Sequence, residues 1–279
     1  MIVDFHTHIF PPSFRAARGE YVGRDITFAA LFANPKAGLA TVEELIDAMD
    51  EARVDMAVVM GVGWTDRDTA IEANDYIIRS VDRFPTRLVG FCSVNPAWGE
   101  SAIREVERCA GEGVKGIGEL HPDTQGFDVG SKEVMSPLME AAHGLGLIVL
   151  THSSEPVGHL YPGKGRTTPD KLYAFARNFP ENTIVCAHWG GGLPFYGLMP
   201  EVAGETKNVY YDTAASPFLY SQGIFSTVVG LNGPDRILFG TDFPLIRHPR
   251  LLQQVEESTI SDEARKKILG GNARALLTI

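Results

Sequence analysis

Six polar residues in this sequence are of the types that hold divalent metal ions in proteins. Four are histidines and two are acids: His6, His8, Glu119, His152, His188 and Asp242. Each lies one to three residues beyond the end of a short apolar run. Neutral imidazole together with carboxylate suits Zn²⁺ or a similar first-row ion. The sequence therefore predicts a metal centre, provided that the fold brings these six side chains together.

The apolar runs themselves are typical of buried parallel strands. Several are continuous rather than alternating, as strands covered on both faces tend to be. The intervals between them are long enough for one crossover helix each. Eight such runs occur, at 2–5, 56–60, 88–91, 114–117, 147–150, 183–186, 209–211 and 237–239.

Helix signals fill the intervals between these runs. Residues 41–44 read Thr-Val-Glu-Glu, in which an N-cap threonine precedes a glutamate at the third helical position, a capping box. Segments at Ser101 and Ser261 read similarly. No G-x-G-x-x-G follows an early strand, which disfavours a doubly wound open sheet. We therefore expect a (β/α)₈ TIM barrel that forms one domain over residues 1–279.

A barrel of this kind explains why the six polar residues fall where they do. All parallel strands end at one mouth, which carries the active site in this fold. His6 and His8 are two positions apart and share a face, whereas the other four end the fourth, fifth, sixth and eighth strands. The connection 9–40 is unusually long, and we expect it to lie over the mouth as a lid.

Composition excludes several classes of protein. The formal net charge of −10 argues against binding the phosphate backbone of nucleic acids. No apolar run approaches the roughly 20 residues of a membrane span, and the amino-terminal stretch lacks the features of a signal peptide. Three widely spaced cysteines fit neither a disulfide framework nor a zinc knuckle. We expect a cytoplasmic protein that acts on a small molecule, away from membranes and nucleic acid.

The sequence also resembles the amidohydrolase superfamily. The resemblance rests on the ordered strand-end set of His6, His8, His152, His188 and Asp242. Supporting phrases are AHWGG at 187–191, FGTDFP at 239–244 and GNARALL at 271–277. The chain is most similar to the amidohydrolase-related group that also contains aminocarboxymuconate semialdehyde decarboxylase. The resemblance covers almost the whole chain and implies a metal-dependent enzyme, commonly a homodimer, but it does not specify a substrate.

Two mechanisms follow from this resemblance, and the role of Glu119 separates them. In a two-metal hydrolase, Glu119 bridges two ions, one held by His6, His8 and Asp242 and the other by His152 and His188. A metal-activated hydroxide then attacks a lactone, amide or ester, and Asp242 acts as general base and then acid. Because Glu119 is in register with the bridging position, we favour this hydrolase interpretation at this stage.

The resemblance also implies a decarboxylase of an unsaturated or aromatic acid. One ion is then held by His6, His8, His152 and Asp242, and His188 works as an acid–base residue. Glu119 would orient a ligating histidine through a hydrogen bond. A third alternative is a barrel whose metal binds without catalysis.

Four further residues are candidate substrate contacts. His121 is two positions beyond Glu119 and can share its face. Lys164 and Arg166 lie in the loop after the fifth strand and could clamp a carboxylate or phosphate. Trp189 follows His188 and could form a wall of the pocket.

Overall fold

Eight parallel strands form the centre of the computed structural model, which describes residues 1–279. Each strand pairs with the next along the chain, and the predicted (β/α)₈ barrel is confirmed. The strands are β1 (Val3–His8), β2 (Met56–Met60), β3 (Leu88–Cys92), β4 (Gly116–Leu120), β5 (Ile148–Thr151), β6 (Ile184–Cys186), β7 (Val209–Asp212) and β8 (Ile237–Leu238).

The barrel closes between its first and last strands. The backbone N–H of His8 donates to the Phe243 carbonyl at 2.7 Å, and that of Asp242 donates to the His6 carbonyl at 2.9 Å. A third bond, from Phe5 N to the Phe239 carbonyl, has a length of 2.7 Å. We call this set of hydrogen bonds the seam.

Helices cover the outside of the barrel and fill the connection after β1. None of them combines the length and the apolarity that crossing a bilayer requires. The α-helices outside residues 9–40 are Val42–Ala52, Arg67–Arg83, Glu100–Gly111, Pro122–Gln125, Lys132–Gly144, Pro169–Asn178, Pro200–Glu205, Ser216–Leu219, Ile224–Asn232, His248–Glu256, Asp262–Lys266 and Asn272–Leu277. Short turns of other helical types cover Pro96–Trp98, Ala187–Gly190, Leu193–Leu198 and Lys267–Gly271.

Helix starts follow the local chemistry closely. Thr41 and Glu44 form the capping box that the sequence predicts. Ser261 caps its helix by accepting from Ala264 N. The helix expected near Ser101 begins one residue earlier, at Glu100, and its N-cap is Gly99.

The apolar residues form two main layers. One lies inside the barrel, where Phe5, Phe91 and Leu150 pack together below the mouth. The other lies between the sheet and the outer helices, where Ile117 and Leu172 are fully buried. Burial on both faces accounts for the continuous apolar strands.

The regular strand register breaks in two of the strands that carry ligand candidates. In β1 the pairing with β2 shifts between Asp4 and Thr7. In β4 the pairing with β5 shifts between Ile117 and Leu120. Irregularities of this kind re-aim side chains beside active sites. The shift in β1 allows Phe5 to pack in the barrel interior while the next residue, His6, joins the polar cluster at the mouth.

Candidate metal centre

His6 and His8 lie within β1 rather than after it, because the strand continues to His8. Their Nε2 atoms are 3.1 Å apart. Both residues are buried: His6 is fully buried, and His8 is 5% exposed. The sequence rule that alternate strand residues share a face therefore holds here.

Glu119 stands between two pairs of imidazoles. Its Oε2 atom lies 3.8 Å from His6 Nε2 and 3.7 Å from His8 Nε2. Its Oε1 atom lies 3.0 Å from His152 Nδ1 and 3.4 Å from His188 Nε2. Each carboxylate oxygen thus faces its own pair of ring nitrogens, and the two groups could each hold a metal ion.

Asp242 completes the His6–His8 side of this cluster. Its Oδ1 atom is 3.3 Å from His8 Nε2 and 4.0 Å from His6 Nε2. Since β8 ends at Leu238, Asp242 lies in the loop beyond the strand rather than at its last residue. Its side chain is 15% exposed, compared with 5% for Glu119, so it is the more open of the two acids toward the cavity.

Three of the imidazoles are held in the tautomer that a metal ligand needs. His6, His8 and His188 each donate Nδ1–H to an acceptor outside the cluster, which leaves Nε2 of the neutral ring as a lone pair. The acceptors are Asp212 Oδ2 at 2.7 Å, the Met60 carbonyl at 3.3 Å and the Ala214 carbonyl at 3.2 Å, respectively.

The lone pairs of the neutral rings and the two carboxylates converge on one another. The fourth imidazole, His152, has a buried Nε2 with no hydrogen-bond partner. A set of nitrogen and carboxylate donors that face one another is stable when a divalent ion neutralises it. The residues therefore fit a divalent metal.

Asp212 is a functional candidate that the sequence analysis missed. It ends β7 and is fully buried. Besides His6, it accepts the backbone N–H groups of His188 at 2.9 Å and Ala214 at 3.0 Å. One carboxylate thus orients residues from two sides of the centre. Its position at a strand end, directly after two tyrosines, is the signal that could have revealed it.

The backbone is strained at two of the ligand candidates. His188 has φ 55° and Asp242 has φ 65°, in the left-handed region that costs a non-glycine residue on the order of 1–3 kcal/mol. Hydrogen bonds from their surroundings hold both turns: Asp212 accepts from His188 N, and the seam holds Asp242. Strain maintained in this way is common at functional sites.

Nearby carboxylates change how readily the imidazoles take up protons. Burial alone would lower the pKa of His6, but the Asp212 carboxylate outweighs it and the pKa rises to about 10. Burial likewise opposes the charge on His188, but its hydrogen bond to Glu119 raises its pKa to about 9. Protons and a metal ion therefore compete for these nitrogen atoms.

The two acids of the cluster are ionised at neutral pH. Burial would raise the pKa of Glu119, but hydrogen bonds to His152 and His188 bring it well below its usual range. Burial also opposes ionisation of Asp242, and the hydrogen bond to His8 lowers its pKa below the usual value. The centre therefore offers two negative charges to a cation.

A cavity of about 460 Å³ opens above the cluster. His8, Glu119, His152, His188 and Asp242 lie at its polar end. Its other lining residues are mostly apolar and include Leu31, Phe32, Val62, Phe218 and Leu245, with His121, His159 and Tyr161 among the polar ones. This mixture is usual for a small-molecule site.

Segment 9–40 contributes directly to this cavity. It folds into three short helices, Pro12–Ala16, Arg18–Arg24 and Ile26–Phe32. Leu31, Phe32 and residues 34 and 36–38 line the cavity.

Of the four predicted substrate contacts, one lines the cavity and three do not. His121 lines the cavity, and burial followed by the charge of His152 lowers its pKa to about 3. Lys164, Arg166 and Trp189 do not line it. Lys164 donates to the carbonyls of Val157 and His159 at 2.6 and 3.0 Å and so braces its own loop.

The other two predicted substrate contacts, Arg166 and Trp189, also interact with protein groups outside the cavity. Arg166 is exposed, and its backbone N–H donates to Asp123 at 2.7 Å. Trp189 is fully buried, donates Nε1–H to Ser216 Oγ at 3.0 Å and packs edge-on against Phe225. Its large apolar ring belongs to a buried cluster that also contains Phe225, Ile237 and Leu251.

The known proteins to which this chain is similar include a decarboxylase. The chain is 26% identical over 256 residues to gamma-resorcylate decarboxylase from Polaromonas sp. (strain JS666 / ATCC BAA-500), an alignment covering 76% of this chain and 77% of that protein. The preference for a hydrolase that we drew from the sequence finds no support among these relatives, whereas the decarboxylase alternative does.

Solved structures share this fold. The crystal structure of 5-carboxyvanillate decarboxylase from Sphingomonas paucimobilis superposes with a TM-score of 0.83 at 19% identity, covering 100% of this chain and 99% of that one. Dihydroxybenzoic acid decarboxylase from Polaromonas sp. JS666, solved with manganese and the inhibitor 2-nitroresorcinol, gives a TM-score of 0.73 at 21% identity, covering 99% and 96%. At these identities the likeness establishes the fold.

The amidohydrolase family pattern matches residues 3–279, nearly the full length of the chain. The barrel and the strand-end cluster of histidines and acids agree with that match. The protein therefore belongs to the amidohydrolase family and is an enzyme of the amidohydrolase superfamily, in the group that the sequence resembles.

Proposed function

We propose that the protein is a metal-dependent decarboxylase of a small hydroxylated aromatic acid. The observation that carries the proposal is the division of the cavity into a polar end and apolar walls. An aromatic acid has the same division, with a carboxylate at one edge of an apolar ring. The decarboxylase relatives support this choice over hydrolysis.

The dimensions of the cavity suit such a substrate. A volume of about 460 Å³ accommodates a single substituted ring. Phe32, Phe218 and Leu245 line the walls that would contact the faces of the ring. The carboxylate would then lie at the end formed by His8 and Asp242.

A divalent ion at that end would be held by His6, His8 and Asp242, with Glu119 Oε2 directed to the same place. Such an ion supplies the positive charge that attracts and polarises the substrate oxygens. Because the relatives include a manganese-bound structure, we propose Mn²⁺ or Zn²⁺.

In the proposed reaction, Asp242 would move the proton that decarboxylation requires. It is ionised before substrate binds, and we propose that it accepts the proton of a ring hydroxyl. Asp242 then returns this proton to the ring carbon that bears the carboxyl group. The bond to the carboxyl carbon breaks, its electron pair remains on the ring, and CO₂ leaves. The product departs as a phenolate and takes up a proton from solvent.

Segment 9–40 would serve this chemistry as a lid. Leu31 and Phe32 close the apolar side of the cavity. An apolar cover of this kind excludes water and strengthens the electrostatic interactions beneath it.

The test uses protein loaded separately with Mn²⁺ or Zn²⁺ and a set of hydroxybenzoates, including 2,6-dihydroxybenzoate and 5-carboxyvanillate. We expect CO₂ release, with one deuterium on the former carboxyl-bearing carbon when the reaction runs in D₂O. Asp242→Asn should abolish turnover, whereas the matched exposed variant Asp262→Asn should retain it.

A set of lactones, esters and amides forms the second arm of the test. Turnover of these compounds with incorporation of solvent ¹⁸O, and no CO₂ from any acid, would show that the enzyme is a hydrolase. Glu119, which directs one oxygen toward each pair of imidazoles, would then be the feature that supports the two-metal hydrolase mechanism.

A further inference from the structure

His121 is a buried imidazole whose position in the cavity is not explained by the metal centre. It follows β4, is 1% exposed and lines the cavity. Its ring stacks on that of His152, with centroids 4.2 Å apart and planes inclined by 14°. Its Nε2 atom has no hydrogen-bond partner. A buried polar atom of this kind calls for a ligand group.

The other ring nitrogen of His121 ends a chain of hydroxyl groups. Thr27 Oγ1 donates to the Gly63 carbonyl at 2.6 Å. Thr27 Oγ1 and Thr124 Oγ1 are 2.6 Å apart, and Thr124 Oγ1 is 3.0 Å from His121 Nδ1.

The direction of this chain follows from counting protons. A carbonyl oxygen only accepts, so it takes the single proton of Thr27. The one proton of Thr124 then goes to Thr27 or to the backbone carbonyl of His121, 3.3 Å away, and in either case it is not available to the imidazole. Thr124 can consequently only accept from His121, and the proton of the neutral ring lies on Nδ1. The Nε2 atom is left as a lone pair.

We infer that His121 Nε2 accepts a hydrogen bond from a hydroxyl group on the substrate ring and so selects hydroxylated aromatic compounds. This inference rests on the proposed function for the identity of the substrate. An ether at the same position would have no proton to donate and would leave Nε2 unsatisfied.

The lid, segment 9–40, also contributes to this preference for a hydroxyl group. Thr27 belongs to the helix Ile26–Phe32, which also contributes Leu31 and Phe32 to the cavity wall. The segment that covers the cavity therefore also fixes the side of the His121 ring that carries the proton.

The first test reads the tautomer directly. In zinc-loaded protein with ¹⁵N-labelled histidine, we expect the His121 resonances, assigned by their loss in His121→Gln, to show a protonated Nδ1 and an unprotonated Nε2. A protonated Nε2 in the wild-type protein would overturn the inference, whatever the enzyme does to carboxylic acids.

The second test compares binding of resorcinol with binding of 1,3-dimethoxybenzene. One hydrogen bond predicts a preference of roughly tenfold for resorcinol in the wild-type protein. Thr124→Val removes the acceptor at Nδ1 and should bring the two affinities together, whereas Thr124→Ser keeps the hydroxyl and should retain the preference. Equal binding of the two probes by the wild type, binding of neither, or a preference unchanged in Thr124→Val would each overturn the inference.

These outcomes are separate from the fate of the proposed reaction. If the tautomer and the preference for resorcinol are found but no acid loses CO₂, the hydroxyl selection stands and the decarboxylase assignment fails. If CO₂ is released but Nε2 carries the proton, the reverse holds.

Discussion

Replacing Asp212 by asparagine tests how the metal centre obtains its ligand lone pairs. Asparagine has the same shape, and its amide oxygen can still accept the backbone N–H groups of His188 and Ala214. Its NH₂ group then faces His6 Nδ1, which in the wild type donates to the carboxylate at 2.7 Å. Two donors would meet unless the imidazole moves its proton to Nε2.

The expected magnitude follows from that change of tautomer. A proton on His6 Nε2 occupies the lone pair that faces His8 and the centre. Loss of such supporting hydrogen bonds typically lowers metal affinity by about 10- to 100-fold, which corresponds to about 1.4–2.7 kcal/mol. The metal-free protein also loses a hydrogen bond to a charged group, about 1.5–3 kcal/mol of its unfolding free energy.

The assay is a zinc titration in competition with a chromophoric chelator, with urea unfolding in EDTA for stability. Asp235→Asn is the matched control, because Asp235 is an exposed acid that pairs with Lys267 far from the centre. We expect wild-type metal affinity for this control. Wild-type affinity in a folded Asp212→Asn variant would refute the tautomer argument.

Further predictions concern the acids, the pH dependence and the fold. Glu119→Gln should lower the number of ions bound per chain in elemental analysis, because an amide faces one imidazole pair, whereas exposed Glu201→Gln should not. Metal affinity should rise with pH up to about 10, since His6 and His188, with pKa values of about 10 and about 9, must release protons; titration calorimetry checks this. In EDTA, those two protonations stabilise the fold below about pH 6.5 and lose that contribution as pH rises through about 9 to 10, which urea unfolding measures. Thr41→Ala should cost about 1 kcal/mol in urea unfolding without changing metal affinity.

Much of the centre could be predicted because parallel strands in a barrel end at one mouth. That rule required only the order of the apolar runs and the residue after each. It brought Glu119 and His152 together from positions 33 residues apart. The same rule also covers Asp212, which was missed because the seventh run was taken to end one residue too early.

Other features depend on contacts that a local pattern does not contain. The shifts of register in β1 and β4 arise from pairing with neighbouring strands. The left-handed backbone of Asp242 is maintained by the seam and is uncommon for a residue other than glycine. Lys164 looked like a substrate clamp by its charge, yet its ammonium group is used by two carbonyls of its own loop.

The seam brings the first strand beside the residues that follow the last one. A metal ion at this centre would therefore connect distant parts of the chain. His6 and His8 belong to the first strand, and Asp242 lies beyond the last one. An ion coordinated by these three residues would cross-link the two ends of the barrel and so close a loop that takes in most of the polypeptide. Cross-links that close long loops restrict the unfolded chain most strongly. Loss of the ion would therefore loosen the barrel first where its two ends meet.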